Sequence, residues 1–391
     1  MKSVLFYLAG LSLIVWLKVS ANPAYFLTPD SYYYLQGARN LLAGDGFTIL
    51  FQGKTMHCAI WPIGYSAAIA LSALISPLSL VASSKVVNLL AIGGSFLLLH
   101  KRYQNDWLFV MLAFCTPSLI QLYANTWSET LFVFPLIGFC LSLADRQSSC
   151  LMLSFWGVFA FLVRYVGGFL VLVLLIDSWQ RFRQQKPVQR EVIAAITMLL
   201  LAGTYFGFNY HQTGTFSGGH GFLPTEPLTQ RIWVAIKNLV EETAFLFRDW
   251  DLKGLAIHRP NGQIVLGIIL LTSAFQVIQL GRIGRVLLNH RKRLAVHLLI
   301  DAHSLAFLLT GAVYLTTTVV LYFTDSSLED LRFRRLAPAT LLLTMGLLSN
   351  LTQPANRMLY QRLKPLVCSL FLLSIVHALP KMYLINRLFN P

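Results

Sequence analysis

Charge is scarce in this 391-residue chain, and negative charge is scarcest. Only 12% of residues are charged, with 16 Asp and Glu against 31 Lys and Arg. Soluble globular domains carry about 25% charged residues. With 56% apolar residues and a mean hydropathy of +0.62, a soluble fold is excluded. Cysteine is nearly as sparse. Cys58, Cys115, Cys140, Cys150 and Cys368 form no CxxC and no Cys/His cluster at metal-ligand spacing, which excludes a disulfide framework and a zinc site and leaves small apolar packing residues. There is no internal repeat, low-complexity tract or separate soluble domain, so residues 1–391 read as a single integral membrane domain.

What is present is a succession of apolar stretches of about 15–25 residues, the length a helix needs to cross about 30 Å of hydrocarbon. The +15 net charge suggests nucleic acid until the cations are placed. Lys101-Arg102, Arg146, the Arg181/Arg183/Lys186/Arg190 group, Arg282/Arg285 with Arg291-Lys292-Arg293, and Arg357/Arg362/Lys364 sit in short runs between apolar segments. That is the positive-inside pattern, with anionic lipid headgroups as partners and no nucleic acid. The spans between these runs, with a first helix near Val4–Ala21, predict an all-α polytopic bundle of about eleven transmembrane helices with a cytoplasmic N-terminus. Lys2, the run Val4–Leu17 and Val19-Ser20-Ala21 also fit a cleavable signal peptide, but the length favours an uncleaved helix. Ser66–Ala82, with Pro77 and several serines, breaks the parity as a full crossing and reads as an outer interfacial or re-entrant helix.

This topology puts residues 21–83 in a first extracytoplasmic loop with juxtamembrane helices and 210–262 in a second large one, where Leu228–Trp250 reads as a surface helix. Most acids fall on that face: Asp30, Asp45, Glu129, Glu226, Glu241, Glu242, Asp249, Asp251, Asp325, Glu329 and Asp330. The first loop is the densest in chemistry. It runs through Pro29-Asp30-Ser31-Tyr32-Tyr33-Tyr34, Ala38-Arg39-Asn40-Leu41, Gly44-Asp45-Gly46-Phe47 and Trp61-Pro62-Ile63-Gly64-Tyr65.

That combination resembles the first outer loop of GT-C glycosyltransferases, in the branch of the protein O-mannosyltransferases and the lipid A aminoarabinose transferase. Asn125-Thr126-Trp127-Ser128-Glu129-Thr130 resembles the family's second acidic motif opening a helix. Arg164-Tyr165-Val166-Gly167-Gly168 resembles its cation-x-x-Gly signature. Asn209–Gly214 resembles its Asn…Thr-Gly segment, and Glu329-Asp330-Leu331-Arg332-Phe333 with Pro338 its late acidic-x-Arg-aromatic…Pro motif. Ser31 stands where the family has an acidic neighbour, and Ile63 where it often has a second proline. The resemblance implies a GT-C-like bundle and an enzyme that takes a sugar from a polyprenyl or dolichyl monophosphate carrier and transfers it on the extracytoplasmic side.

Such a transfer needs a base for the acceptor hydroxyl and positive charge for the departing phosphate. Asp30 and Glu129 are the candidate catalytic carboxylates, although both also sit where a carboxylate caps a helix or favours its dipole. Arg164, at the outer end of a span, offers a forked donor set to a phosphate or snorkels to the interface. Arg332, Arg334 and Arg335 crowd an outer loop. Arg332, by motif, and Arg335 are placed with the phosphate, against ordinary ion pairs with Glu329 and Asp330. Tyr33, Tyr34, His57, Trp61 and Tyr65 are placed in a substrate pocket, against an interfacial aromatic belt and, for His57, a solvated loop residue. Asp45, between two glycines, reads as a turn residue.

The expectation is therefore an inverting glycosyltransferase with Asp30 as base, arginine rather than a divalent ion opposite the phosphate, and no cofactor. The acceptor is a protein, lipid or polysaccharide, and the location is a bacterial inner membrane. A flippase or transporter of a lipid-linked sugar, or a non-catalytic membrane subunit of a glycan-assembly complex, are the other classes. The first of these predicts broken helices in matching halves, which the chain does not show.

Overall fold

The computed structural model describes residues 2–51, 53–218, 226–243, 260–290, 301–324, 331 and 333–389. These form helices throughout, with one small hairpin. In chain order they are α1 (Lys2–Ser20), α2 (Pro29–Ala43), β1 (Thr48–Phe51), β2 (Lys54–His57), α3 (Gly64–Leu74), α4 (Leu80–Tyr103), α5 (Trp107–Met111), α6 (Pro117–Ala124), α7 (Ser128–Ala144), α8 (Cys150–Val163), α9 (Leu170–Arg183), α10 (Gln189–Thr213), α11 (Leu228–Thr243), α12 (Pro260–Asn289), α13 (Ala302–Thr324), α14 (Phe333–Leu351), α15 (Arg357–Ala378) and α16 (Lys381–Phe389).

Seven helices among the described residues are long and apolar enough to cross a membrane, or eight if the bent pair α6–α7 counts as one span. The chain is an integral, multi-pass membrane protein, and eleven full crossings are not reached among the described residues. The stretch expected as one span over Trp107–Tyr123 is broken into α5, a 3₁₀ turn at Leu112–Cys115 and α6, which starts at Pro117. Proline lacks the amide that would continue the helix. The helix α8 has 14 residues, and α3 has 11, about 16 Å at 1.5 Å per residue, too short to cross. Large apolar side chains such as Leu151, Phe155, Trp179, Leu200 and Leu271 stand exposed, as lipid-facing positions do in a chain of this class.

The core gathers around α7, where only Phe134 and Leu141 escape full burial. It packs against α4, α8, α13 and α14. Gly138 makes one of these approaches possible, since a Cβ there would lie 2.4 Å from the Trp156 ring. Likewise, a Cβ on Gly64 would lie 2.5 Å from the Leu162 carbonyl oxygen, so glycine lets α3 start against the end of α8.

The first loop is more ordered than a polar island. Thr28 is extended (φ −125°, ψ 170°) and caps α2, its N–H donating to Ser31 Oγ at 3.0 Å, with Pro29 opening the helix. Proline fits there because its missing N–H would be unsatisfied anyway. The cap is thus Thr28, and Asp30 sits inside the first turn. Gly44, in the left-handed region at φ 84°, ends the helix. The hairpin β1–β2, paired Thr48↔His57 through Phe51↔Lys54, was not foreseen, and His57 stands on its second strand.

The opposite end of the bundle carries a separate cluster of charge around the buried Asp177 and Glu191. Arg146 bridges Asp177 at 3.1 Å and Glu191 at 2.9 Å, and Arg190 reaches Glu191 at 2.8 Å. Arg190 also donates to the carbonyls of Leu143 (3.0 Å) and Asp145 (2.7 Å), closing the end of α7. Arg181 donates twice to the Pro187 carbonyl. Helix C-termini favour cations because their last carbonyls lack intrahelical partners.

Candidate active site

The chain reverses between α6 and α7, whose axes differ by 118°. This elbow, residues 125–127, would leave several buried carbonyls without partners, each at a cost of about 1–3 kcal/mol. Polar side chains from α4 meet them. Asn88 Nδ2 donates to the carbonyls of Tyr123 (3.1 Å) and Asn125 (2.8 Å). Lys85 Nζ donates to the Ala124 carbonyl at 2.6 Å and to Thr126 Oγ1 at 2.9 Å. From α2, Ser31 Oγ donates to the Thr126 carbonyl at 3.0 Å. Trp127 Nε1 donates to Thr28 Oγ1 at 2.8 Å. The elbow and the start of α2 are therefore one rigid unit, and it delivers Asp30 and Glu129 to the same place.

Arg334, from the first turn of α14, joins them. Its Nη1 donates to Asp30 Oδ2 and its Nε to Glu129 Oε1, while its guanidinium lies 4.5 Å from the Trp127 ring centre. Arg164, which caps the end of α8, pairs with the same Glu129 oxygen and donates to Ser128 Oγ at 3.4 Å. The result is a ladder of alternating charge: Asp30, Arg334, Glu129, Arg164. Glu129 is wholly buried, whereas the Asp30 side chain is 31% exposed. A buried carboxylate is tolerated only with partners that repay its lost hydration. Two guanidinium groups do so here.

Arg335 completes the group. Its Nη1 is buried and meets no hydrogen-bond acceptor among the described residues, as is also true of Arg164 Nε, while Glu129 Oε2 meets no donor. Three guanidinium groups thus attend two carboxylates, with buried donors left over. Such donors ordinarily mark a missing acceptor. Tyr34, one helical turn after Asp30, shares a 3.0 Å hydrogen bond with Ser128 Oγ. Burial and the Glu129 carboxylate push its phenol well above the usual range, so it stays a neutral hydroxyl.

The remaining residues expected at the site divide. Tyr33 stacks on Trp61 with ring centres 5.1 Å apart, and Tyr34 meets Trp61 edge-on at 5.8 Å. Tyr65 is fully buried, its hydroxyl donating to Asn88 Oδ1 at 3.1 Å, which braces the elbow from behind. His57 lies in a different cleft with Tyr205 and Phe208. Arg332, Glu329 and Asp330 fall outside the described residues. So does Asp249-Trp250-Asp251, an Asp-x-Asp pair of the kind that could hold a divalent ion. Among the described residues no three His, Cys, Asp or Glu side chains come together. Sequence reasoning singled out neither Arg334 as the bridging cation nor Lys85 and Asn88. The available signal was a lysine and an asparagine inside an apolar span, where polar groups are rare without a use.

Fold and cluster together define a polytopic helical membrane protein with a buried arginine–carboxylate site at one end. Its architecture is similar to that of ArnT from Cupriavidus metallidurans bound to undecaprenyl phosphate, with a TM-score of 0.53 and 13% identity over 93% of this chain and 62% of that one. ArnT is a lipid A aminoarabinose transferase of the GT-C superfamily, and the likeness shows a GT-C-like fold. The apo-state structure of the same protein aligns at a TM-score of 0.43 and 14% identity, over 96% of this chain and 78% of that one. This chain thus spans about three fifths of the length of the undecaprenyl-phosphate-bound structure. No family model matches the sequence. No curated protein matches it at a significant level.

Proposed function

We propose that this chain is a GT-C-type glycosyltransferase that moves a sugar from a polyprenyl phosphate carrier to an acceptor hydroxyl, with inversion, on the extracytoplasmic face of a bacterial inner membrane. The observation that carries this reading is a pair of buried guanidinium donors at one site, Arg335 Nη1 and Arg164 Nε, that meet no acceptor among the described residues. A phosphate monoanion or diester supplies what those donors lack, since guanidinium N–H groups match phosphate oxygens in pairs. The GT-C-like fold supports the same assignment, and the ArnT structure it resembles is bound to undecaprenyl phosphate.

In this reading Arg335 and Arg164 hold the carrier phosphate, with Arg332 as a further donor. The acceptor oxygen attacks the anomeric carbon as its proton passes to Asp30. The bond from the anomeric carbon to the phosphate oxygen breaks, and its electron pair leaves with the phosphate. Donors already in place stabilise that charge without reorganising. Asp30 is suited to the base role by position: it is the more exposed carboxylate, and only its Oδ2 is engaged by Arg334. Glu129 sets both Arg334 and Arg164 through one oxygen. Arginine, rather than a divalent ion, faces the phosphate. Replacing Asp30 with Asn in a membrane-based sugar-transfer assay tests the proposal. Turnover should fall by at least about 10²-fold, in line with loss of a general base, and unchanged turnover at normal expression would sink it. Mass spectrometry of lipid co-purified with the protein checks the donor side.

A further inference from the structure

A second cleft lies between the β-hairpin and the end of α10, and none of the ladder residues lines it. It encloses about 640 Å³ and is lined by Phe47, Thr55, His57, Tyr205, Phe208 and Gln212, among others, none of them an acid, lysine or arginine. Small-molecule sites are commonly apolar clefts with a few placed polar groups. His57 is the polar group that the surroundings define most sharply.

Asn209 Nδ2 lies 3.0 Å from the Phe216 carbonyl oxygen and 2.9 Å from the Tyr165 hydroxyl. A carbonyl accepts only, so the Asn209 amide nitrogen must face it, and Asn209 Oδ1 faces His57 Nε2 at 3.1 Å. That oxygen also accepts only. His57 therefore donates from Nε2, and a neutral ring keeps a lone pair on Nδ1. Nδ1 has no partner among the described residues, and neither do the side chains of Thr55 and Gln212. The imidazole is flanked edge-on by Phe208 at 5.2 Å and Phe47 at 6.1 Å between ring centres.

We propose that this cleft binds a neutral sugar ring, with one sugar hydroxyl donating to His57 Nδ1 and the apolar face of the ring against Phe208 and Phe47. An oriented acceptor, hydroxyl and amide groups beside it, aromatic walls and the absence of lysine and arginine among the described lining residues favour a polyol over a phosphate or carboxylate. The sugar belongs either to a glycolipid headgroup or to a free saccharide. Phe208 is half exposed on a membrane-spanning helix, so the cleft borders lipid. Identifying this sugar as part of the transferase acceptor rests on the reading of the preceding section, whereas the binding itself does not.

The test uses the full chain in nanodiscs of glycoside-free phospholipid, titrated with octyl β-glucoside below its micellar concentration and with methyl β-glucoside, followed by saturation-transfer NMR. Saturable binding is expected, weakened about tenfold in His57→Phe, which keeps a ring but removes the acceptor, a loss typical of one hydrogen bond. Phe208→Ala should weaken it several-fold, and its half-exposed position leaves folding intact if His57→Phe proves unstable. Tighter binding of the octyl glycoside assigns the site to a glycolipid, and equal binding assigns it to a free saccharide. No saturable binding, or binding indifferent to both substitutions, overturns the proposal. Asp30→Asn should bind sugar as wild type does. If that variant loses transfer while His57→Phe binds normally, the sugar site falls and the transferase stands. If it keeps transfer while His57→Phe loses binding, the reverse holds.

Discussion

Among the described residues the two ends of this bundle hold the same formal set of charges, three arginines and two carboxylates, and use them differently. At the end defined by Arg146, Arg181 and Arg190, each guanidinium is directed at a protein acceptor: Asp177, Glu191, the closing carbonyls of α7, or the Pro187 carbonyl. At the other end, Arg334 and Arg164 converge on a single oxygen of Glu129, while Arg335 Nη1 meets no acceptor among the described residues. A closed cluster of this kind joins helices. An open one is complementary to something that arrives. The difference is one of geometry, since composition at the two ends is the same.

The largest test of this contrast removes the buried carboxylate at each end. Glu129→Gln removes the counter-charge that Arg334 and Arg164 share, and breaking a buried pair costs about 3–5 kcal/mol. The variant should lose thermal stability in detergent and sugar transfer together. Glu191→Gln should lose comparable stability, yet each molecule that remains folded should transfer sugar at the wild-type rate. Loss of specific activity in Glu191→Gln would erase the distinction between the ends.

A smaller effect separates the arginines. Arg335→Met should leave the melting temperature nearly unchanged, because Nη1 has no acceptor to lose among the described residues, while polyprenyl phosphate affinity drops about 10–100-fold, the scale of a charged hydrogen bond. Arg190→Met should do the opposite, freeing the Leu143 and Asp145 carbonyls and lowering stability with lipid affinity intact. Lipid pull-down beside differential scanning fluorimetry reads both.

The smallest effects are in pH. Near the site, burial pushes the Cys58 thiol up to about 11 from 9.0. The folded protein holds this proton longer than the unfolded chain, so the stabilisation is complete below pH 9 and is lost as pH rises toward 11. At the far end, burial raises the Asp301 carboxyl, but the adjacent His303 ring and hydrogen bonds from Ser304 outweigh it and bring it down to about 2 from 3.8. That contribution is complete above about pH 4 and is lost as pH falls toward 2. Hydrogen exchange should therefore show the hairpin loosening first in alkali and the start of α13 first in acid. Alkaline loosening that is equal at both ends would count against the role given to Cys58.

Much of this molecule is legible in its order of residues. The apolar runs declare spans because hydrocarbon admits only helices whose backbone groups pair internally. Asp30, Glu129 and Arg164 stand out as charges at the edges of such runs, and all three lie in the ladder. The count of crossings was less legible, because Pro117 and the elbow at 125–127 break stretches whose composition alone would span. Sequence reasoning placed Arg332, by motif, and Arg335 with the phosphate; Arg332 lies outside the described residues, and Arg334, given no role by motif, bridges both carboxylates. Successive residues on a helix point about 100° apart, so the packing of α14 against the elbow decides which guanidinium meets a carboxylate.

Lys85 and Asn88 make the same point from the other side. On paper they are polar blemishes in an apolar span, and in the fold they satisfy the carbonyls that let α7 begin where it does. Residue order thus dictated membrane residence, helical class and the chemical types available at one face, because solvation of side chains and backbone depends mainly on local composition. Which guanidinium meets which carboxylate, and which donor is left without one, arises only when α2, α7, α8 and α14 pack together, because those contacts join residues as far apart as 30 and 334.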